Sequence, residues 1–193
     1  MKRLMGCLVA VVFLAVLMPE QARAQGDSNS MSSPGGLKDA GTHERSPMLS
    51  FFGLLPWGYG TGIGVAGRYT LPILKDGFIP PLNDSVELEF GGDVWFGGQN
   101  FGLGRDYSYV GLAIPVEGRW TFHFTPKFSA YGKASVGWYF NFWSNNVDDI
   151  AGASYGGFYA NVGAGVLYDI NGTIALRGEV GATGLKAGVG FSF

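Results

Sequence analysis

The sequence predicts an all-β fold, an eight-stranded antiparallel transmembrane β-barrel, and three observations carry that expectation. Apolar residues alternate with small or polar ones in segment after segment, and a period of two sends successive side chains to opposite faces of a strand. No segment reads as a helix. Connections alternate between short turns and longer polar stretches, as in an up-and-down barrel whose termini share one side.

Residues 1–24 read as a cleaved signal peptide. Lys2 and Arg3 form a basic start, Leu4 to Met18 are apolar and uncharged, and Ala22-Arg23-Ala24 has the small-x-small pattern of a cleavage site. The apolar run is shorter than the about 20 residues a membrane-spanning helix needs. Leu4-Met5-Gly6-Cys7 superficially matches a lipoprotein box but precedes the apolar run, so lipidation is rejected. Cys7 is the only cysteine and leaves with the signal, so the mature chain forms neither a disulfide nor a cysteine metal site. Residues 25–47 are polar and rich in Ser and Gly, the composition of a disordered periplasmic leader. His43 within it reads as solvated, with no partner ligands nearby.

Of 13 basic and 15 acidic residues, the signal removes Lys2, Arg3, Arg23 and Glu20, leaving a net charge of −4. That excludes a basic nucleic-acid footprint. The 33 glycines, 15% aromatics and only 15% charged residues suit a wall that faces lipid outside and is tightly packed inside.

The barrel is expected over residues 48–193. The first strand, Met48–Leu55, has the least clean pattern, with Leu49, Phe51, Phe52, Leu54 and Leu55, and is required by the even strand count of such barrels. Tyr59–Ile73 sets Ile63, Val65, Tyr69 and Leu71 against Gly62, Gly64, Ala66, Arg68 and Thr70. Ser85–Phe96 sets Val86, Leu88, Phe90, Val94 and Phe96 against Glu87, Glu89, Asp93 and Trp95. Tyr109–Phe122 sets Val110, Leu112, Ile114, Val116, Trp120 and Phe122 against Gly111, Ala113, Glu117, Arg119 and Thr121. Pro115 cannot donate to the ladder, so a local bulge is expected there. Phe128–Trp143 places Val136, Trp138, Phe140 and Phe142 opposite Tyr131, Lys133, Ser135 and Tyr139, and Phe158–Ile170 places Val162 and Val166 opposite Tyr159 and Asn161. Thr173–Ala182 and Gly184–Phe193 complete the eight, the last with Leu185, Ala187, Val189, Phe191 and Phe193 on one face. Asn171-Gly172 and His123–Lys127 fit periplasmic turns. Gly97–Asp106 and Ser144–Ser154 fit external loops, and Leu74–Asp84 is long for a periplasmic turn.

A soluble ligand-binding barrel shares the same period with its apolar face inside. Two features favour the membrane form instead. Aromatics (Tyr69, Phe96, Trp120, Phe122, Phe128, Phe140, Phe142, Phe158 and Tyr168) cluster near segment ends on the apolar faces, as interface girdles require. The opposite faces carry Gly, Ala, Ser, Tyr and charges of both signs, which suits a narrow interior.

The export signal, eight short strands and terminal Phe resemble the small outer-membrane β-barrel family of the OmpA transmembrane domain and OmpX type. Gly111-Leu112-Ala113-Ile114-Pro115-Val116, leading through Arg119-Trp120 to the Thr125-Pro126-Lys127 turn, is similar to its outer membrane protein β-barrel domain. The resemblance implies recognition by the barrel-assembly machinery through Phe191 and Phe193, and no peptidoglycan-binding tether is carried over.

Catalytic constellations are thin. His123-Phe124-Thr125 is the one candidate for a lipid A-modifying enzyme, but His123 falls on the interior face and the deacylase spacing of His, Ser and Asn is absent. Asn83-Asp84-Ser85 and Asn171-Gly172-Thr173 match glycosylation acceptors but fall in expected periplasmic turns. Gly58, Gly60, Gly62 and Gly64 recur every second residue, a strand spacing and not a dinucleotide fingerprint. Asp148-Asp149 reads as a solvated loop pair. No catalytic residue, cofactor or metal is assigned. The inward charges do form a set: cations Arg68, Arg119, Lys133, Arg177 and Lys186 against acids Glu87, Glu89, Asp93, Glu117 and Glu179. Five of each sign, with Tyr131, Tyr139 and Tyr159, predict a filled interior network and no open porin channel. The expected protein is a monomeric, non-enzymatic barrel of a Gram-negative outer membrane. Its partners are outer-membrane lipid and lipopolysaccharide, with no nucleic acid, and its role is structural or in surface interaction.

Overall fold

The computed structural model describes residues 29–58, 62–101, 105–144 and 154–193. The signal-peptide assignment, Cys7 and Asp148-Asp149 lie outside them. Eight strands follow in chain order: β1 (Met48–Pro56), β2 (Ile63–Leu74), β3 (Asp84–Phe101), β4 (Arg105–His123), β5 (Phe128–Ser144), β6 (Ser154–Asp169), β7 (Ile174–Gly181) and β8 (Gly184–Ser192). Each pairs antiparallel with the next, and β8 pairs with β1 from Met48↔Ser192 to Pro56↔Gly184, so the sheet closes into a barrel. Closure gives each of the eight strands a neighbour on both sides, as a β-structure in lipid requires.

Burial alternates residue by residue along each wall, and the sense of the alternation is decisive. Along β1 it runs from a buried Ser50 and an exposed Phe51 to a buried Phe52. Val65, Ile114, Val136, Trp138, Phe158, Val162 and Leu176 point outward and are exposed, whereas Arg68, Glu89, Glu117 and Arg177 are buried in the lumen. A water-soluble barrel needs the reverse. Ring pairs mark two girdles: Tyr69–Phe193 and Trp120–Phe122 (centroids 6.3 and 4.9 Å) at one end, Trp138–Phe158 (6.1 Å) towards the other.

The connections 75–83, 124–127 and 170–173, together with the start of β1 and the end of β8, define the near end. Asn171 Oδ1 accepts from the Thr173 and Ile174 N–H groups in the last of these, and Gly172 takes a left-handed φ of 83° that its lack of a Cβ permits. Strands β3–β6 are far longer than β7, β8 and β1, so one side of the barrel projects at the far end. Gly97–Asp106, expected as a loop, is therefore mostly strand: β3 and β4 stay paired to Phe101↔Arg105.

Two other expectations change. Pro115 makes no bulge: its register with Gly137 on β5 is regular, and the β3–β4 register is the same on either side of it. The ladder only lapses, with Gly91 and Gly92 on β3 unpaired opposite Ile114 and Pro115, and Arg68 Nη1 donates to the Gly92 carbonyl there (3.2 Å). The register shift lies instead between Pro72 and Leu74. Second, where composition predicted a flexible leader over 25–47, residues 29–47 lie folded against the near end. The reason is polar: Asn83 N–H donates to Leu37 O (2.9 Å) and its Nδ2 to Gly35 O (3.0 Å), while its Oδ1 accepts from Arg45. Its carbonyl accepts from His123 N–H (3.0 Å), which ties the segment to β4.

Candidate functional site

The lumen is where the chemistry-bearing side chains converge. Alternation alone sends them inward; the register sets who meets whom. All ten inward charges join one unbroken chain of alternating sign. It begins at Glu87, which Arg119 Nε meets at 3.1 Å, and Arg119 Nη1 reaches Glu89 Oε1 at 2.8 Å. Arg177 Nη2 bridges Glu89 (2.9 Å) and Glu179 (2.8 Å), and Lys133 Nζ bridges Glu179 and Glu117, the latter at 2.6 Å. Arg68 then joins Glu117 (2.7 Å) to Asp93 (2.6 Å), and Lys186 Nζ closes the series on Asp93 at 2.8 Å.

Burial makes this chain consequential. Glu89 and Glu117 are 0% exposed and Arg68 is 1% exposed. An isolated buried ion is strongly disfavoured, so such groups must pair and be hydrogen-bonded. Every internal member of the chain has an opposite charge on each side. Neutral groups fill some of the remaining valences, while Glu89 Oε2 and Arg177 Nε have no hydrogen-bond partner among the described residues. Thr70 Oγ1 donates to Glu89 (2.7 Å), Thr121 Oγ1 to Glu87 (2.8 Å), and Tyr131 Oη to Glu179 (2.8 Å). Arg177 also donates to Ser50 Oγ (2.8 Å) and lies over the Phe52 ring, with its guanidinium carbon 5.0 Å from the centroid.

Glu117 and Arg119, two apart on β4, do not pair with each other. Glu117 is held by Arg68 and Lys133, and Arg119 by Glu87 and Glu89. Arg177 and Glu179, with the same spacing on β7, do pair.

Towards the far end the chain is capped by an apolar layer of Leu54, Trp95, Tyr109, Ala113 and Tyr159, against which Tyr139 packs. This explains β1. Phe52 and Leu54 face the lumen, one under Arg177 and one in the apolar cap, so apolar residues occur on both faces of that strand. Towards the near end Ser85 Oγ and His123 Nε2 lie 2.8 Å apart, and His123 Nδ1 and Ser129 Oγ 2.9 Å apart, while Ser85 Oγ also donates to Glu87 Oε1 at 2.5 Å. A polar cavity of about 230 Å³ opens there between Arg45, Glu87, Arg119 and His123. His123, the one catalytic candidate in the sequence, is therefore held between two hydroxyls inside the lumen. Its Nδ1 faces the Ser129 hydroxyl and not a carboxylate.

His43 also has partners. Its Nε2 lies 3.1 Å from Asp39 Oδ2 and its backbone N–H donates to Asp76 Oδ1 at 3.0 Å. The Gly35 N–H and His43 hold the Asp39 carboxyl below its ordinary 3.8, at about 2. Phe191 and Phe193 point outward on and just beyond β8, Phe193 against Tyr69. The sequence assigns no role to Asn83 beyond a discounted glycosylation match and does not separate Phe52 and Leu54 as lumenal, whereas Trp95 falls on the expected inward face. A polar-inside pattern hides the apolar ones, and nothing local marks Asn83.

Charged lumen, apolar exterior and full closure together define a transmembrane β-barrel. Among solved structures the chain is similar to one from the de novo design of transmembrane β-barrels, at 16% identity, over 79% of this chain and 100% of that one, TM-score 0.47. It is similar to Ail, the attachment invasion locus protein of Yersinia pestis, at 15% identity over 77% and 97%, TM-score 0.49. The N-terminal β-barrel domain of Pseudomonas aeruginosa OprF aligns at 19% identity over 78% and 98%, TM-score 0.43. No family model and no curated relative matches the chain.

Proposed function

We propose that this chain is a structural barrel of a Gram-negative outer membrane, serving envelope integrity or surface interaction without an open pore. The observation that carries the reading is the unbroken ten-charge chain, whose members pair with one another across the lumen beneath an apolar cap. An eight-stranded barrel has an interior just wide enough for its side chains to fill. On this reading the near end is periplasmic and the projecting β3–β6 side faces outward, towards lipopolysaccharide. Phe191 and Phe193 belong to the signal read by the barrel-assembly machinery, and the barrel works as a monomer.

The reading is non-enzymatic. A lipid-modifying enzyme needs its histidine and nucleophile on the lipid side, whereas His123, Ser85 and Ser129 face the lumen. Membrane fractionation is the test. Recovery in the detergent-resistant outer-membrane fraction, with a band whose mobility shifts on heating, supports the reading. Recovery as a soluble periplasmic protein overturns it. Lipid A mass spectra that change with the gene would instead favour the enzyme.

A further inference from the structure

The outer wall is not uniformly covered. On β4 and β5, Gly118 and Gly132 face outward, and a Cβ built on either meets no atom within 4 Å. Ala134, directly across from Gly118, extends this floor. Phe78, Trp120 and Phe122 rise around it, so the wall carries an apolar groove of about 380 Å³. The walls are fixed in place. Trp120 Nε1 donates to Asp84 Oδ2 (2.7 Å), and the same carboxylate accepts from Phe78 N–H (3.0 Å). Phe78 meets the Trp120 ring edge-on at 6.0 Å, and the Trp120 and Phe122 rings stand 4.9 Å apart. A groove with hydrogen-bonded walls is preformed, so its occupant loses little affinity to reorganisation.

Its depth and rim identify the occupant. Gly118 lies five residues from the end of β4 and Gly132 four from the start of β5. At about 3.4 Å per residue and a 35–45° tilt, the floor sits roughly 10–14 Å above the near rim. That is within one leaflet, since the hydrocarbon core is about 30 Å thick. The turn directly below carries Lys127, at the mouth of the near-end cavity, and Leu37 N–H to Phe124 O (3.3 Å) ties the Lys38-bearing leader to the same turn. Among the described residues neither lysine has a carboxylate partner, so both cations are available to a phosphate. A second barrel presents a convex wall, which three projecting rings keep off the glycine floor. A single hydrocarbon chain enters freely.

We infer that the β4–β5 groove seats one acyl chain of a glycerophospholipid from the near-end leaflet, with its phosphate at Lys127 and Lys38. The inference rests on the membrane reading of the barrel. Its test therefore uses full-length mature protein refolded into vesicles of phosphatidylethanolamine and phosphatidylglycerol, with heat-dependent mobility scored first. Failure of the wild type to insert overturns the membrane reading. With insertion secured, native mass spectrometry after detergent extraction reads the retained phospholipid. The wild type is expected to keep one. Gly118→Leu with Gly132→Leu fills the groove where nothing obstructs a side chain and should lose it, and Lys127→Ala should weaken retention of both lipids. Equal retention by the filled variant, or a wild type that keeps none, overturns the seat. Loss of a cross-linked dimer in the filled variant assigns the groove to a second copy and also overturns it. A wild-type measurement guards against a variant that does not fold: a phospholipid with a photoreactive acyl chain should label β4 and β5. Even labelling around the barrel contradicts the proposal.

Discussion

Replacing Arg177 by Met removes an internal link of the lumenal chain. Arg177 holds Glu89 at 2.9 Å, Glu179 at 2.8 Å and Ser50 Oγ at 2.8 Å, and packs on Phe52. Met keeps much of the packing volume but none of the charge. Glu89 retains Arg119 and Thr70, and Glu179 retains Lys133 and Tyr131, so neither carboxylate is orphaned. The lumen nonetheless holds five acids against four cations. Removing one partner of a buried ion pair costs about 3–5 kcal/mol, and the surviving contacts place this variant towards the lower figure. Adding Glu179→Gln restores the balance at four of each sign and keeps an acceptor for Tyr131. Pairs in one network couple by about 0.5–3 kcal/mol, so the double variant should recover part of the loss. Urea unfolding in lipid vesicles, followed by tryptophan fluorescence and heat-dependent mobility, measures all three stabilities. A single variant within about 1 kcal/mol of wild type, or a double variant that only adds the two losses, refutes the buried-chain account.

Three further outcomes follow from the geometry. Val136 and Val162 are 54% and 66% exposed on the outer wall. Arg at either should destabilise the inserted barrel by about 2–4 kcal/mol if the position is near the midplane, against Val→Ala controls in the same vesicles; parity with the controls would reverse the face assignment. Asp39 has its pKa depressed from 3.8 to about 2, chiefly by the Gly35 N–H and then by His43. Its contribution to the internal fold of residues 29–47, where its partners Gly35, Gly41 and His43 all lie, is therefore present above about pH 4 and lost as the pH falls through 2. Amide exchange across those residues should rise in that window in the wild type, and no rise would remove Asp39 from the contacts that hold the segment's shape. Phe191→Ala with Phe193→Ala should lower outer-membrane levels in cells; unchanged insertion would separate these rings from assembly.

The sequence makes the faces legible and leaves the neighbours hidden. A period of two is enough to place Arg68, Glu117 and Lys133 inward and Val136 and Val162 outward, because side-chain direction is a local property of a strand. Which acid meets which base depends on the stagger between strands, and Glu117 shows the difference. Its neighbour on the same face is Arg119, yet it binds Arg68 on β2 and Lys133 on β5. The pattern also assumes one polarity per face, and β1 breaks that assumption where Phe52 and Leu54 serve the lumen. Gln99 and Asn100 read as loop for a related reason. Beyond the lipid a paired strand no longer needs an apolar face, so polar residues persist in the β3–β4 ladder. The leader's docking escapes composition altogether, since it rests on Asn83 and Arg45 and not on apolar burial.

The central claim is that the lumen is closed by its own side chains, and single-channel recording in planar bilayers tests it most directly. Refolded wild-type protein should insert and show no large steady conductance, because the Glu87-to-Lys186 chain and the Leu54–Trp95–Tyr159 layer fill the path. A stable porin-sized current from the wild type would contradict the account and make the barrel a channel.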